Sequence, residues 1–250
     1  MPRPGHRRRR PNPLGPLLRL GLAVLAFGLL VLLAGRAFLA TLPSVGDAES
    51  RVATVLARHG GVAVTLPPPT RIAEATVAVE DHRFYVHHGL DSLGLLRAGW
   101  DLLTTGSPHG GATITEQLAQ VLYEPNANSA RAHLRKAGLA IKLEQRYSKA
   151  EILTMYLNSV YYGAGQWGIV QASRTYFGVA PVALTWAEAS MLAGLPNAPS
   201  AYDPVHHYDL ARQRQRLVLV APVSDGALSP AVAAAIYAQP PPVVSGIRSA

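Results

Sequence analysis

Glu80-Asp81-His82-Arg83-Phe84-Tyr85-Val86-His87-His88-Gly89 follows an apolar run in which Ile72, Ala75 and Val79 recur at helical spacing. Pro67-Pro68-Pro69-Thr70 ahead of that run reads as a stop followed by a cap, so the spacing predicts a helix that carries Glu80 to its end. Adjacent carboxylates, an aromatic ring, histidines and a glycine then crowd together, and such crowding of costly polar groups is usual where chemistry is done. A carboxylate beside a second acid and near a large apolar side chain can have its pKa raised toward neutrality, which a general acid or base needs. On residue types alone the stretch fits a solvated helix end equally well.

The spacing E-D-x-x-F-x-x-H-x-G resembles the first motif of the peptidoglycan glycosyltransferases, glycosyltransferase family 51, which occur as monofunctional transglycosylases and within class A penicillin-binding proteins. Further stretches follow in the family's order across roughly 70–236. Gly110-Gly111-Ala112-Thr113-Ile114-Thr115-Glu116-Gln117-Leu118 is similar to the second motif, usually G-G-S-T-I-T-Q-Q. Glu144-Gln145-Arg146-Tyr147-Ser148-Lys149 and Tyr156-Leu157-Asn158 resemble the approach to the fourth, which continues through Tyr162-Gly163 to Tyr176-Phe177-Gly178. Leu192-Ala193-Gly194-Leu195-Pro196-Asn197 and Tyr202-Asp203-Pro204 resemble the fifth, with Arg214 in the arginine-bearing helix after it.

The resemblance implies a mainly α, lysozyme-like fold with two lobes, behind a single N-terminal transmembrane helix. It implies polymerisation of lipid II, a disaccharide-pentapeptide on a polyprenyl pyrophosphate, into glycan strands with inversion at the anomeric carbon. An acceptor hydroxyl must then lose a proton as it attacks, while the pyrophosphate leaves with its charge already delocalised. Glu80 is the expected general base, with Asp81 tuning or orienting it. Arg83, Phe84, His87, Gly110, Gly111, Thr113, Thr115 and Gln117 are the expected substrate contacts. For cofactors the resemblance brings in only a divalent cation, Mg or Mn; the residues themselves spell no metal site. Lipid II, the nascent glycan strand, the membrane and other cell-wall synthesis proteins are the expected partners.

The departures from the family pattern cluster. The third motif, R-K-x-x-E, should sit eight residues before the acid that is Glu144, which gives Ala132, His133, Leu134, Arg135 and Lys136. Neither the Arg-Lys pair nor the glutamate is in place, and the Lys-Asn pair that usually follows motif two is Gln120-Val121. Arg135 or Lys136 could stand in for the lost cations, but a lysine at the glutamate's position cannot hold a metal ion. Three readings therefore stand side by side: a divergent transglycosylase, a lipid II- or glycan-binding module without turnover, and a glycan hydrolase, which would want a second carboxylate across the cleft.

Seven of the 23 basic residues, Arg3, Arg7 to Arg10, Arg19 and Arg36, precede residue 37 with no acid among them, so the net charge of +8 falls to +1 without that segment. The basic balance is thus a topology signal and a contact for anionic headgroups, with no nucleic acid as partner. Leu20 to Gly35 is uncharged, and with snorkelling arginines the apolar run extends over 17–42 behind a basic cytoplasmic tail, 1–16. The positive-inside rule places the rest outside the bacterial cytoplasmic membrane, and a cleaved signal peptide ending near 37–40 would export it too. Residues 43–69 read as a linker or domain start, 70–239 as the transglycosylase domain and 240–250 as a Pro-rich tail. No S-x-x-K occurs, so the expectation is a domain without the serine transpeptidase of bifunctional relatives.

Ser148-x-x-Glu151 and Thr185-x-x-Glu188 read as capping boxes before apolar helices. A helix over 134–143 is expected to bury Leu134, Ile141 and either Leu139 or Gly138. Leu93, Leu95, Leu96, Trp100, Leu102 and Leu103 fit either core or a surface dipping into the bilayer. Gly163-Ala164-Gly165-Gln166-Trp167-Gly168 spells a dinucleotide fingerprint but follows a helical run, so it reads as a tight loop. His82, His87, His88 and His109 lack metal-site spacing and read as packing or hydrogen-bonding residues.

Overall fold

The computed structural model describes residues 14–94, 96, 104, 112–125, 129–224 and 228–244. Helix α1, Leu14–Thr41, is the one long apolar helix among the described residues. Its segment Leu18–Thr41, with mean hydropathy 2.4, is long and apolar enough to cross a membrane. From Ser44 onward the chain forms a separate compact unit.

That unit is built from α2 (Ala48–Arg58), α3 (Thr70–Glu80), α4 (Ile114–Tyr123), α5 (Ala130–Arg146), α6 (Lys149–Ser159), α7 (Ile169–Phe177), α8 (Trp186–Gly194), α9 (Tyr208–Ser224) and α10 (Pro230–Tyr237). Among the described residues there is no strand, only an isolated antiparallel bridge between Tyr161 and Trp167. The fold is mainly α, as expected. The helices pack in two groups: α3, α8 and α9 with α10 beside them, and α4, α5 and α6 with α2. Glu80, at the C-terminal end of α3, lies where the first group meets α4 of the second.

Local signals start most of these helices. The capping boxes of Ser148 with Glu151 and Thr185 with Glu188 form as read, and a third forms between Thr113 and Glu116 at the start of α4. Thr70 is the first helical residue of α3 and not its cap; Pro69 holds the cap position and offers no side-chain hydrogen bond. In α3, Ile72 and Ala75 are buried as predicted, Val79 is half-buried, and Val77 joins the core.

Two expectations about burial need correction. Along α5 the inward face is Ala132, Lys136, Gly138, Leu139, Ala140 and Leu143, so Leu139 and Gly138 are buried as expected while Leu134 is 63% exposed and Ile141 only half-buried. The apolar positions chosen from sequence were seven apart, while the packed face runs through a lysine and small residues that the apolar pattern does not count. Leu93 and Leu96 are 52% and 70% exposed, which goes against the core reading for them; Leu95, Trp100, Leu102 and Leu103 lie outside the described residues. The segment read as a linker also contributes to the unit. Val52 and Leu56 of α2 are buried, and Asn158 brackets Val64 by accepting from its N–H at 2.8 Å and donating to its carbonyl at 3.0 Å. At the other end Val244 N–H donates to the Tyr176 carbonyl, so part of the Pro-rich tail lies against the domain.

Gly89 shows why the first motif ends in glycine. Its φ is +93°, and a Cβ there would sit 3.0 Å from the carbonyl carbon and oxygen of Ala140 in α5. Backbone atoms of a packed helix cannot move aside as a flexible side chain would. Gly89→Ala is therefore expected to lower stability by about 1–2 kcal/mol, read as a lower melting temperature; an unchanged melt would show that the loop relaxes away from α5.

Candidate active site

The chain leaves helical geometry at Asp81, whose φ of −161° and ψ of 72° end α3 just after Glu80. Tight turns follow, with Phe84 N–H donating to the Asp81 carbonyl and Val86 N–H to that of Arg83, both at 2.8 Å. This turn drives Phe84 fully inside and leaves the two acids in different surroundings.

Glu80 Oε2 accepts a 2.7 Å hydrogen bond from Gln117 Nε2 of α4. The Gln117 amide is oriented by Tyr156 of α6, whose hydroxyl donates to its Oε1 at 3.0 Å. Glu80 Oε1 is buried and has no hydrogen-bond partner among the described residues. Burial raises the Glu80 pKa, the Gln117 bond and the positive charge of Arg214 oppose the rise, and the Asp81 charge adds to it. One oxygen is thus held in place, and the other is left to accept a proton.

Asp81 does different work. Its two oxygens lie 2.9 and 2.8 Å from His87 Nε2, and Oδ2 also accepts from Ile114 N–H, at the start of α4, at 3.1 Å. Both side chains of the pair are buried. Burial raises the Asp81 pKa, with His87 opposing. Asp81 ties the turn after α3 to the N-terminus of α4, which sets the approach of Gln117 to Glu80.

Several expected contacts turn out to face inward. Phe84 has no exposed surface and lies under the Lys149 ammonium, 4.4 Å from its ring centroid. Thr113 is the buried cap of α4 and donates to the Gly89 carbonyl at 2.7 Å. Thr115, also fully buried, donates to Glu144 Oε1 at 2.6 Å, and Lys149 Nζ reaches the same oxygen at 2.7 Å. As placed, Phe84, His87, Thr113 and Thr115 support the site and do not line it. Arg83 is paired with Asp91 at 3.1 Å, its side chain 26% exposed. Gly110 and Gly111 lie outside the described residues.

Lys136 sits on the buried face of α5, and its Nζ donates to Gln120 Oε1 of α4 at 3.0 Å. Among the described residues no carboxylate forms an ion pair with it, though its charge holds down the pKa of Glu116, which burial raises. Arg135 points elsewhere and pairs with Glu124 at 2.6 Å. Gln117, Gln120 and Tyr156 line a common groove of about 430 Å³. A divalent cation does not fit here: among the described residues no three His, Asp or Glu side chains converge, and Lys136 places a fixed positive charge on α5.

Two contributors were absent from the sequence-based site. Tyr156 fixes the Gln117 amide, and Arg214 of α9 brings positive charge to Glu80 while its Nε donates to the Gly194 carbonyl. A Cβ at Gly194 would lie 2.8 Å from Arg214 Cγ, so the glycine leaves room for the arginine stem. Both residues stand in the fourth and fifth motif regions, which was the available signal.

With this geometry in view, the comparisons are direct. The sequence profile of the family described as Transglycosylase matches residues 57–222. The chain belongs to the transglycosylase family. It is 44% identical over 151 residues to a Cupriavidus necator protein provisionally named a transglycosylase, covering 60% of this chain and 65% of that one. It is 41% identical over 152 residues to penicillin-binding protein 1F of Bacillus subtilis, covering 60% of this chain and 21% of the relative. Penicillin-binding protein 2D of the same organism is 44% identical over 149 residues, 59% of this chain and 22% of its own. The transglycosylase thus spans about two thirds of the first relative and about a fifth of the other two. A crystal structure of penicillin-binding protein 1A from Haemophilus influenzae aligns with 73% of this chain and 18% of its own, at a TM-score of 0.43 and 21% identity.

Proposed function

We propose that this transglycosylase is a peptidoglycan glycosyltransferase that polymerises lipid II with inversion, Glu80 acting as general base. The observation that carries the reading is the Glu80 carboxylate, with Oε2 fixed by Gln117 and Oε1 buried and unpartnered. Oε1 takes the proton of the acceptor hydroxyl as its oxygen bonds to the anomeric carbon. The bond from that carbon to the pyrophosphate breaks, and the leaving group keeps the electron pair. Leaving-group charge requires cations more than a proton donor, and Lys136, bonded to Gln120, and Arg214, whose charge acts on Glu80, are the candidates among the described residues, Lys149 being held by Glu144.

In this reading α1 anchors the chain in the cytoplasmic membrane with its basic end inside and the domain outside, where lipid II and the growing strand are met. Other cell-wall synthesis proteins are the partners that fit that setting. The hydrolase reading loses ground, because the other carboxylates of this region are engaged: Asp81 with His87, Glu116 in its capping box, Glu144 with Thr115 and Lys149. A binding module without turnover keeps one specific support, the lysine at 136 where the family's third motif has glutamate. Purified full-length chain incubated with fluorescent lipid II separates the readings. Polymer is the expected product; lipid II that is bound yet unreacted would replace the proposal with the binding module, and shortened glycan with the hydrolase.

A further inference from the structure

The groove beside Glu80 has a second end that the chemistry above leaves unused. There it is walled by three aromatic rings, His59 at the C-terminus of α2 and Tyr161 and Trp167 of the loop between α6 and α7. The His59 and Trp167 rings are stacked, with centroids 4.6 Å apart and an interplanar angle of 11°. Tyr161 and Trp167 lie 5.0 Å apart at 36°. His59 is exposed and the other two are half-buried, so the wall presents aromatic surface to the groove.

This wall is built and held. Tyr161 and Trp167 face each other across the only bridge among the described residues, closed by Tyr162 N–H to the Gln166 carbonyl at 2.8 Å and Gly168 N–H to the Val160 carbonyl at 3.0 Å. Gln171 of α7 joins the two sources of the wall: its Nε2 donates to the His59 carbonyl at 2.8 Å, and its Oε1 accepts from Trp167 N–H at 3.2 Å. Gly168 adopts a φ of +79°, and a Cβ there would be 2.8 Å from the Asn158 carbonyl oxygen, so the loop's close seating against α6 depends on glycine. This aromatic wall, with the exposed Arg58 beside it, differs from the polar end, where Gln117 and Gln120 meet Glu80 and Lys136.

We infer that His59, Tyr161 and Trp167 form a stacking platform for a pyranose ring of the glycan strand, seating the sugar chain in the groove that leads to Glu80. The axial C–H groups of a pyranose carry partial positive charge and meet the negative face of an aromatic ring, while its hydroxyls remain free for water. A groove that is largely aromatic at one end, with placed polar groups at the other, suits an amphipathic ligand such as a sugar. A lipid tail would gain nothing from the stacked geometry over any other apolar wall. The inference rests on the glycosyltransferase reading for the direction of the strand, and its test does not require turnover.

The test is binding of a lipid-free tetrasaccharide of alternating N-acetylglucosamine and N-acetylmuramic acid to the full chain in detergent, followed by calorimetry. His59→Ala, on an exposed side chain, and Trp167→Ala should each weaken the affinity about three- to tenfold. Trp167→Phe should restore most of it, which a loop merely unfolded by the alanine would not explain. With fluorescent lipid II the two alanine variants should release shorter polymer than the wild type. Unchanged tetrasaccharide affinity in both alanine variants of a chain that makes polymer would overturn the platform and leave the transferase reading standing. Loss of affinity in a chain that makes no polymer would uphold the platform and remove the transferase reading.

Discussion

Glu80→Gln is expected to lower lipid II polymerisation about 100- to 10,000-fold, the range for loss of a positioned general base. The variant keeps the shape of the site. Its amide oxygen still accepts from Gln117, and Tyr156 still holds Gln117 in the donating orientation, but nothing remains at the Oε1 position to take a proton. Because burial raises the Glu80 pKa, the wild-type rate should climb with pH along an acid limb displaced above the ordinary carboxylate range, and that limb should vanish in the variant. Stability runs in the opposite direction. A carboxyl whose folded pKa lies above its unfolded value stabilises the fold below the unfolded pKa, and that contribution is lost as pH rises through the folded pKa. At neutral pH the glutamine variant should therefore melt no lower than the wild type by more than the modest cost of its unpartnered amide N–H. Near-normal polymer yield from a folded Glu80→Gln protein would remove Glu80 from the base role.

The parts of this site that were legible from sequence are those whose determinants are local. Glu80 falls at a helix end because an apolar run with period 3.6 leads into it, and Ser148 and Thr185 start helices because each has a glutamate three residues on. The same local rule applied to Thr113 and Glu116 would have shown that this threonine is a cap. The binding motif alone points instead to a substrate contact, because a motif does not separate a capping hydroxyl from a ligand-facing one. Residue type does not give direction: Phe84 and Thr115 belong to motifs that border the site yet turn inward, toward Lys149 and Glu144. The links that define the base join residues 37 and 39 apart in sequence, Glu80 to Gln117 and Gln117 to Tyr156, and no local pattern encodes such a pairing. Arg214 acts on Glu80 from still further along the chain. In α5 the inward lysine was hidden because hydrophobic periodicity counts a charged residue as outward.

That lysine carries the second large expectation. Lys136→Ala should weaken lipid II binding about ten- to a hundredfold, since a charge-assisted contact to phosphate is worth ~1.5–3 kcal/mol. Helix α5 is continuous from Ala130 to Arg146, so position 136 lies just over two turns before Glu144 on the same inward side, and the register read from sequence places the family glutamate there. The side chain is 9% exposed and donates to the neutral amide of Gln120 in α4 at 3.0 Å, with the capping Glu116 near enough to feel its charge. A buried ammonium whose direct hydrogen-bond partner is a neutral amide is costly, and a bound pyrophosphate would relieve that cost. The family motifs have lysine at the position of Gln120 and glutamate at that of Lys136, and these two side chains meet in the structure, so in the proposed reading the cation comes from the opposite helix. Lys136→Met, which keeps the volume of the stem, should reproduce the loss of binding without loss of stability, separating charge from packing. Lys136→Glu should be worse than either, because it sets a like charge against the pyrophosphate while Gln120 supplies no compensating cation. The salt dependence of lipid II binding should flatten in all three variants. Polymerisation and binding that are indifferent to Met and Glu at 136 would show that this lysine only braces α5 against α4, and that the pyrophosphate is held elsewhere.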